Sequence, residues 1–235
     1  MSLPRLRLEK CVRDGDTWLI DDEQAHHLVR VRRCYNGSLV EGLLDGEKVE
    51  LRLICDKDAV RATEISREAE PPAFPEIHLF LALLKSDQFD DALRFACETG
   101  VHSIHLLVCE RSVPKYSIGR QDDKMSRWNK ILNEATKQAG STRPPILHAP
   151  RKFDEFDFSI LPQNRFAAML RHDAAELRSL PPCGSLAVAI GPEGDWTPFE
   201  AQKLLDEKFI PVSLGKRILR ASTAVAVACG WFMLR

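Results

Sequence analysis

From Ile77 onward, apolar runs of strand length alternate with helix-length segments, and no other feature of the sequence restricts the fold as tightly. Ile77–Leu84 is continuously apolar but for His78, and is followed by a helical stretch, Gln88–Thr99, that ends at Gly100. Ser103–Val108 reads as the next strand and Asp122–Ala139 as the next helix, closed by Gly140. Further strands are expected at about 165–170, 185–190 and 210–214, with a helix at 197–208 and a last helix after Arg220. Strands that are apolar on both faces must be covered on both, so the pattern predicts an α/β domain built on a parallel sheet.

The residues before Ile77 follow a different rule. Residues 3–66 are strand-rich: Asp45-Gly46 separates the runs 38–44 and 47–54 with the chemistry of a tight hairpin, and Ala59–Ile65 alternates with period two. A short helix at about Asp22–Val29 interrupts the strands, and a compact β-barrel is the simplest closed form. Arg67–Pro75, polar and then proline-rich, marks the boundary. With 235 residues, against ~100–150 for one domain, a division into 1–70 and 71–235 is expected.

Composition excludes little by itself: 44% hydrophobic and 29% charged residues are ordinary for a globular protein. The seven cysteines are scattered, without a C-x-x-C pair, and suggest neither a disulfide framework nor a zinc site. The first residues lack a secretory apolar core, and the longest apolar stretch, Ala221–Leu234, is too short to span a bilayer, so a cytoplasmic protein without membrane or metal partners is expected. The net charge of −1 hides an uneven distribution. Between Arg111 and Lys152, ten Lys/Arg face three acids, a patch able to neutralise phosphates or to form a solvated face. His26-His27 with Arg30, Arg32 and Arg33 is a second basic cluster.

Two loops carry the chemistry. Leu186–Ile190 runs directly into Gly191-Pro192-Glu193-Gly194, at the carboxyl end of a buried strand, where open α/β sheets bind ligands. A well-specified helix start follows, with Thr197 as N-cap, Pro198 in the first turn and Glu200 in the capping-box position. The loop matches no phosphate-binding motif, and Glu193 and Asp195 would repel a polyphosphate. Its glycines let a backbone approach adenine and ribose edges; taken alone, a tight turn is the simpler account. The second loop changes that balance. Val212–Gly215 ends another strand, and Lys216-Arg217-Ile218-Leu219-Arg220 leads into the terminal helix. Cations beside the positive end of a helix dipole need a reason, and Arg217 and Arg220 suit a phosphate or a negative charge developing on a substrate base.

Gly191-Pro192-Glu193-Gly194 followed by Leu214-Gly215, Arg217-Ile218-Leu219-Arg220 and Thr223-Ala224 resembles the knotted SPOUT methyltransferases. Among these it is similar to the RsmE family, which methylates N3 of a uridine in 16S ribosomal RNA. His26-His27-Leu28 with Val31 and Arg33 resembles that family's PUA-like domain, while Lys85 to Val101, Glu110-Arg111-Ser112, Trp128 and Glu134-Ala135 with Gln138 resemble its catalytic domain. The resemblance implies a PUA-like β-barrel over 1–70, and a SPOUT domain over 71–235 with a trefoil knot within about 165–235 through which a homodimer packs. It implies S-adenosyl-L-methionine held by the loop after Met169-Leu170, by Ile190, Gly191, Pro192, Glu193 and Gly194, and by Leu214, Gly215, Ile218 and Leu219. Periodicity alone would have suggested an unknotted sheet.

Asp195, Ser222 and Ser141 stand where that family usually has Gly, Glu and Arg, and Arg143 is a candidate substitute for the missing arginine. Arg220, with Arg217, is expected to stabilise charge on the methyl-accepting base; Glu193 qualifies as a base only if it reaches the imino proton. His27, Arg30, Arg33, Arg111, Lys115, Arg127, Lys137 and Arg143 are the expected contacts to 16S RNA or the small ribosomal subunit. The rival readings are a SPOUT ribose 2′-O-methyltransferase and a non-catalytic RNA-binding assembly factor.

Overall fold

The computed structural model describes residues 3–56, 59–112, 121–181 and 183–234. The chain divides into two compact units, Met1–Pro72 with Thr136–Arg143, and Ala73–Ala135 with Pro144–Arg235.

The first unit contains β1 (Arg5–Arg7), β2 (Val12–Asp14), β3 (Thr17–Leu19), α1 (Asp22–His26), β4 (Leu39–Leu44), β5 (Glu47–Cys55) and β6 (Val60–Ala69). These strands form one six-stranded sheet in the order β1-β4-β5-β6-β3-β2. All its pairings are antiparallel except β1 with β4. Asp45-Gly46 turns the β4–β5 hairpin, and Gly46 takes a φ of +76° that a side chain would oppose. Alternation along β5 sends Val49, Leu51 and Leu53 into a core with Leu6, Leu8, Trp18, Leu28 and Val40. Asp21 caps α1 by accepting from the Gln24 amide, and the helix continues as a π-turn over His27–Val31. Residues 136–143 join this unit through polar contacts. Thr142 donates its amide and hydroxyl to Glu70 (2.7 and 2.6 Å), the Gly46 amide donates to Thr142 Oγ1 (3.1 Å), and Arg143 donates to the Glu70 carbonyl (2.8 Å).

The second unit runs through β7 (Glu76–Ala82), α2 (Ser86–Glu98), β8 (Ser103–Val108), α3 (Gln121–Ala139, whose last turn belongs to the first unit), β9 (Ile146–Lys152) and β10 (Asn164–Ala168). It continues with β11 (Ala175–Glu176), β12 (Ser185–Ile190), α4 (Pro198–Asp206), β13 (Ile210–Ser213) and α5 (Ala221–Met233). Its seven strands lie in the order β11-β13-β10-β12-β7-β8-β9, every pairing parallel. Both faces are covered. Ile77, Leu79 and Leu81 pack with Phe89 and Leu93 of α2, Trp128 and Leu132 of α3, and Val225 and Cys229 of α5. Phe80 and Ala82 face Phe153, Phe156, Phe158, Leu204 and Phe209. β9, β11 and the short helical turns at Phe153–Glu155, Phe158–Ile160 and Leu177–Ser179 were not expected from the sequence. Among the described residues no helix is long and apolar enough to cross a membrane.

Candidate active site

The sheet order makes β13, β10 and β12 neighbours, so the loops leaving their carboxyl ends meet. They enclose a cavity of about 350 Å³, within the range of small-molecule sites. Of the residues expected to hold a cofactor, Leu170, Ile190, Gly191, Pro192, Glu193, Leu214, Gly215, Ile218 and Leu219 line it, as do Arg217 and Arg220. Gly194 does not; its carbonyl instead accepts a hydrogen bond from Arg111 (2.8 Å).

Local chemistry explains why the first loop takes this shape. A Cβ at Gly191 would lie 3.0 Å from the Trp196 ring, so glycine lets the indole close over the loop. Trp196 is 5% exposed and donates its ring N–H to the Ala168 carbonyl (3.0 Å), tying the loop after β12 to the end of β10. It is therefore a packing aromatic. Asp195 adopts φ +58°, a left-handed turn that Asp tolerates better than most residues. Its amide donates to Pro192 O, and its carboxylate accepts from the Trp196 amide, both at 2.9 Å. The second loop turns at Gly215, where φ is +122°.

The polar lining is asymmetric. Arg220 is the N-cap residue of α5 and makes no side-chain cap bond there, while Ala221 and Ala224 of the same helix form part of the wall. Glu193 accepts the Lys85 amide (3.0 Å), which holds the loop against the start of α2. Gln88, in the first turn of α2, also lines the cavity, and its Oε1 is buried without a hydrogen-bond partner. A stripped acceptor is an unmet hydrogen bond that a ligand bearing N–H groups relieves. Nothing in the sequence singled out Gln88, because its role depends on where α2 begins relative to β12. Cavity size, glycine-opened backbone and an orphaned acceptor together fit an adenosyl amino acid such as S-adenosylmethionine.

The basic residues are dispersed. On the first unit His27, Arg30 and Arg33 are exposed, while Arg143 is bonded to Glu70 and lies 3.5 Å from Asp45. Arg143 thus braces the β4–β5 hairpin. Lys137 is half-buried on the last turn of α3. On the second unit Arg127 pairs with Asp90. Lys115 lies outside the described residues. Ser222, buried in the first turn of α5, leaves no carboxylate at that position. Among the described residues no group of three His, Cys, Asp or Glu side chains is placed to hold a metal.

Residues 70–233 match the model of the RNA methyltransferase domain family. The chain belongs to that family. It is 31% identical over 217 residues to ribosomal RNA small subunit methyltransferase E of Synechocystis sp., covering 87% of this chain and 69% of that one. The enzyme of the same name from Mycobacterium bovis is 28% identical, with 92% and 86% covered. In three dimensions the chain is similar to ribosomal RNA small subunit methyltransferase E from Neisseria gonorrhoeae, solved bound to S-adenosyl methionine. The TM-score is 0.83 at 27% identity, and 97% of this chain and 95% of that one are covered.

Proposed function

We propose that this chain is an S-adenosylmethionine-dependent methyltransferase acting on N3 of a uridine in 16S ribosomal RNA during maturation of the small subunit. The observation that carries the proposal is the meeting of both glycine loops on one cavity in a member of the RNA methyltransferase family. The names shared by the relatives give the small-subunit substrate, and the resemblance at Gly191–Gly194 and Leu214–Arg220 gives the uridine N3 specificity.

When bound, the cofactor supplies an electrophilic methyl group on a sulfonium. The loops at 191–193 and 214–219 would hold it, with Ile190, buried at the end of β12, and the half-buried Leu214 on the apolar side of the site. Uridine N3 becomes nucleophilic once its imino proton has passed to solvent water. Arg220, assisted by Arg217, stabilises the negative charge that then spreads over the base. In-line positioning of acceptor and methyl supplies much of the remaining rate. Glu193, fixed by the Lys85 amide, shapes the loop.

The strand order supports a trefoil knot within about 165–235. The chain passes from β10 to β11, leaves by β12, and returns to place β13 between β10 and β11. The last segment thus fills a gap spanned earlier by the connection through residues 169–174. A homodimer packed through this region accounts for Val227, Met233 and Leu234, which α5 and its end leave exposed. The six-stranded sheet of the first unit serves as a PUA-like barrel, with His27, Arg30 and Arg33 facing RNA, and Arg127, Lys137 and Arg143 as further contacts in the cytoplasmic ribosomal substrate.

Incubation with labelled cofactor and, separately, 16S RNA, 30S and 50S particles tests the proposal, with the modified nucleoside identified by mass spectrometry. N3-methyluridine from 16S RNA or the 30S particle is expected. A ribose 2′-O-methyl product would overturn the base specificity. RNA binding without S-adenosylhomocysteine binding would support an assembly factor instead.

A further inference from the structure

The turn after β8 reaches past the end of β7 to the loop after β12, although those two strands are not neighbours in the sheet. Arg111 sits on that turn. One of its guanidinium nitrogens, Nη1, donates to the Gly194 carbonyl (2.8 Å) and to the Trp196 carbonyl (3.4 Å). Its aliphatic stem lies against Gly194, where an added Cβ would come within 3.2 Å of Arg111 Cβ and Cδ. The turn is itself anchored. The Glu110 amide donates to Glu200 Oε1 (2.9 Å), while Glu200 Oε2 accepts from the Thr197 amide (2.9 Å) and hydroxyl (3.1 Å). Glu200 is only 3% exposed, so its carboxylate is committed to these donors. The Ser112 hydroxyl accepts the Cys109 amide (3.2 Å) and closes the turn from the other side.

We infer that Arg111 is a positioning residue for the cofactor loop 191–196, with Glu200 as its anchor. The inference rests on the reading of the cavity as the adenosylmethionine site. One guanidinium nitrogen is held by two backbone carbonyls of the loop and the stem packs on Gly194, so the side chain is fixed against the loop through contacts made within the chain. Removing the staple frees a loop whose remaining ties are the Lys85–Glu193 and Trp196–Ala168 hydrogen bonds and the turn at Asp195.

The test compares wild type with Arg111→Ala, Arg111→Lys and Glu200→Gln. It uses calorimetry with S-adenosylhomocysteine in the absence of RNA, the salt dependence of RNA binding, and hydrogen exchange at the amides of residues 193–196. R111A is expected to weaken S-adenosylhomocysteine about 10-fold and to speed exchange in the loop while leaving the salt slope unchanged. R111K should fall between wild type and R111A for the cofactor, because its one ammonium can donate to the same carbonyls while its shorter side chain reaches them less well. E200Q should loosen the same loop even if R111A folds poorly. Unchanged exchange and cofactor affinity in R111A, with a salt slope reduced by about one, would overturn the inference in favour of a phosphate contact. Absence of S-adenosylhomocysteine binding in the wild type would defeat the cofactor reading alone, since exchange still reports on the staple.

Discussion

Arg220 is the residue on which the proposed chemistry turns. It lines the cavity at the start of α5 without capping the helix. Its replacement by alanine is expected to lower methylation about 100- to 1,000-fold, as loss of one preorganised charge-stabilising donor does elsewhere. Affinity for S-adenosylhomocysteine should stay within a few-fold, and equal losses in both measurements would refute the assignment. Gly191 is constrained by a different force. A methyl group there would sit 3.0 Å from the buried Trp196 ring, so Gly191→Ala must displace the indole or the loop. A loss of about 1–3 kcal/mol in denaturant unfolding, with weakened cofactor binding, is the expected outcome. Asp195 shows how a departure from the usual residue is accommodated: it accepts the left-handed conformation and adds its own bond to the Trp196 amide.

The capping box of α4 does more than start a helix. Thr197 Oγ1 accepts the Glu200 amide (3.2 Å), and the Glu200 side chain returns to Thr197 while also accepting the Glu110 amide. Glu200→Ala therefore loses cap interactions of about 1 kcal/mol and strands the Glu110 amide, for a further 1–3 kcal/mol or so. Chemical denaturation should show a deficit larger than loss of the cap alone, and Glu200→Gln should recover part of it. In the first unit Thr142 holds the comparable place. Thr142→Val removes the acceptor of the Gly46 amide and one of the donors to Glu70. An unfolding deficit of about 1–3 kcal/mol is expected, and a neutral result would show that the 136–143 segment is not stabilised through that hydroxyl.

At the scale of the whole molecule, the pH dependence of stability is expected to come from a histidine cluster on the sheet face that α4 covers. His105 stacks between Phe80 (centroids 4.6 Å apart) and His148 (4.2 Å), and shares the Ser103 hydroxyl with His78 (3.1 and 2.8 Å). Burial, then the charges of His148, His78 and Arg151, push the His105 imidazole down to about 3. Burial likewise lowers His78, against the pull of Glu76, and His148, where Arg151 adds to it. The unfolded chain protonates these rings near pH 6.5, while the folded chain resists. Stability should accordingly fall as pH drops from about 6.5 toward about 3, where His105 itself takes a proton. Denaturant midpoints between pH 7 and pH 4 measure this slope. His105→Phe, which keeps the stack and removes the titrating group, should flatten it.

Much of this protein was legible in the sequence because the deciding forces are local. Apolar runs of strand length specified a parallel sheet, Asp45-Gly46 specified a hairpin, Thr197-Pro198 with Glu200 specified a helix start, and both glycine loops were placed at strand ends. The edge strand β9 carries no strand signal because it pairs on one side only, and its residues, Ile146–Lys152, are mostly exposed and include Pro150. Only the tertiary structure decided the rest. Strand order brought β13 between β10 and β11 and so put Leu214–Arg220 opposite Gly191. Hydrogen bonds from Thr142 and Arg143 drew 136–143 into the first unit. The partners of Gln88, Arg111 and Glu200 are likewise set by which strands become neighbours. Pairing and burial join residues far apart in the chain, and no periodicity or turn chemistry encodes which ones will meet.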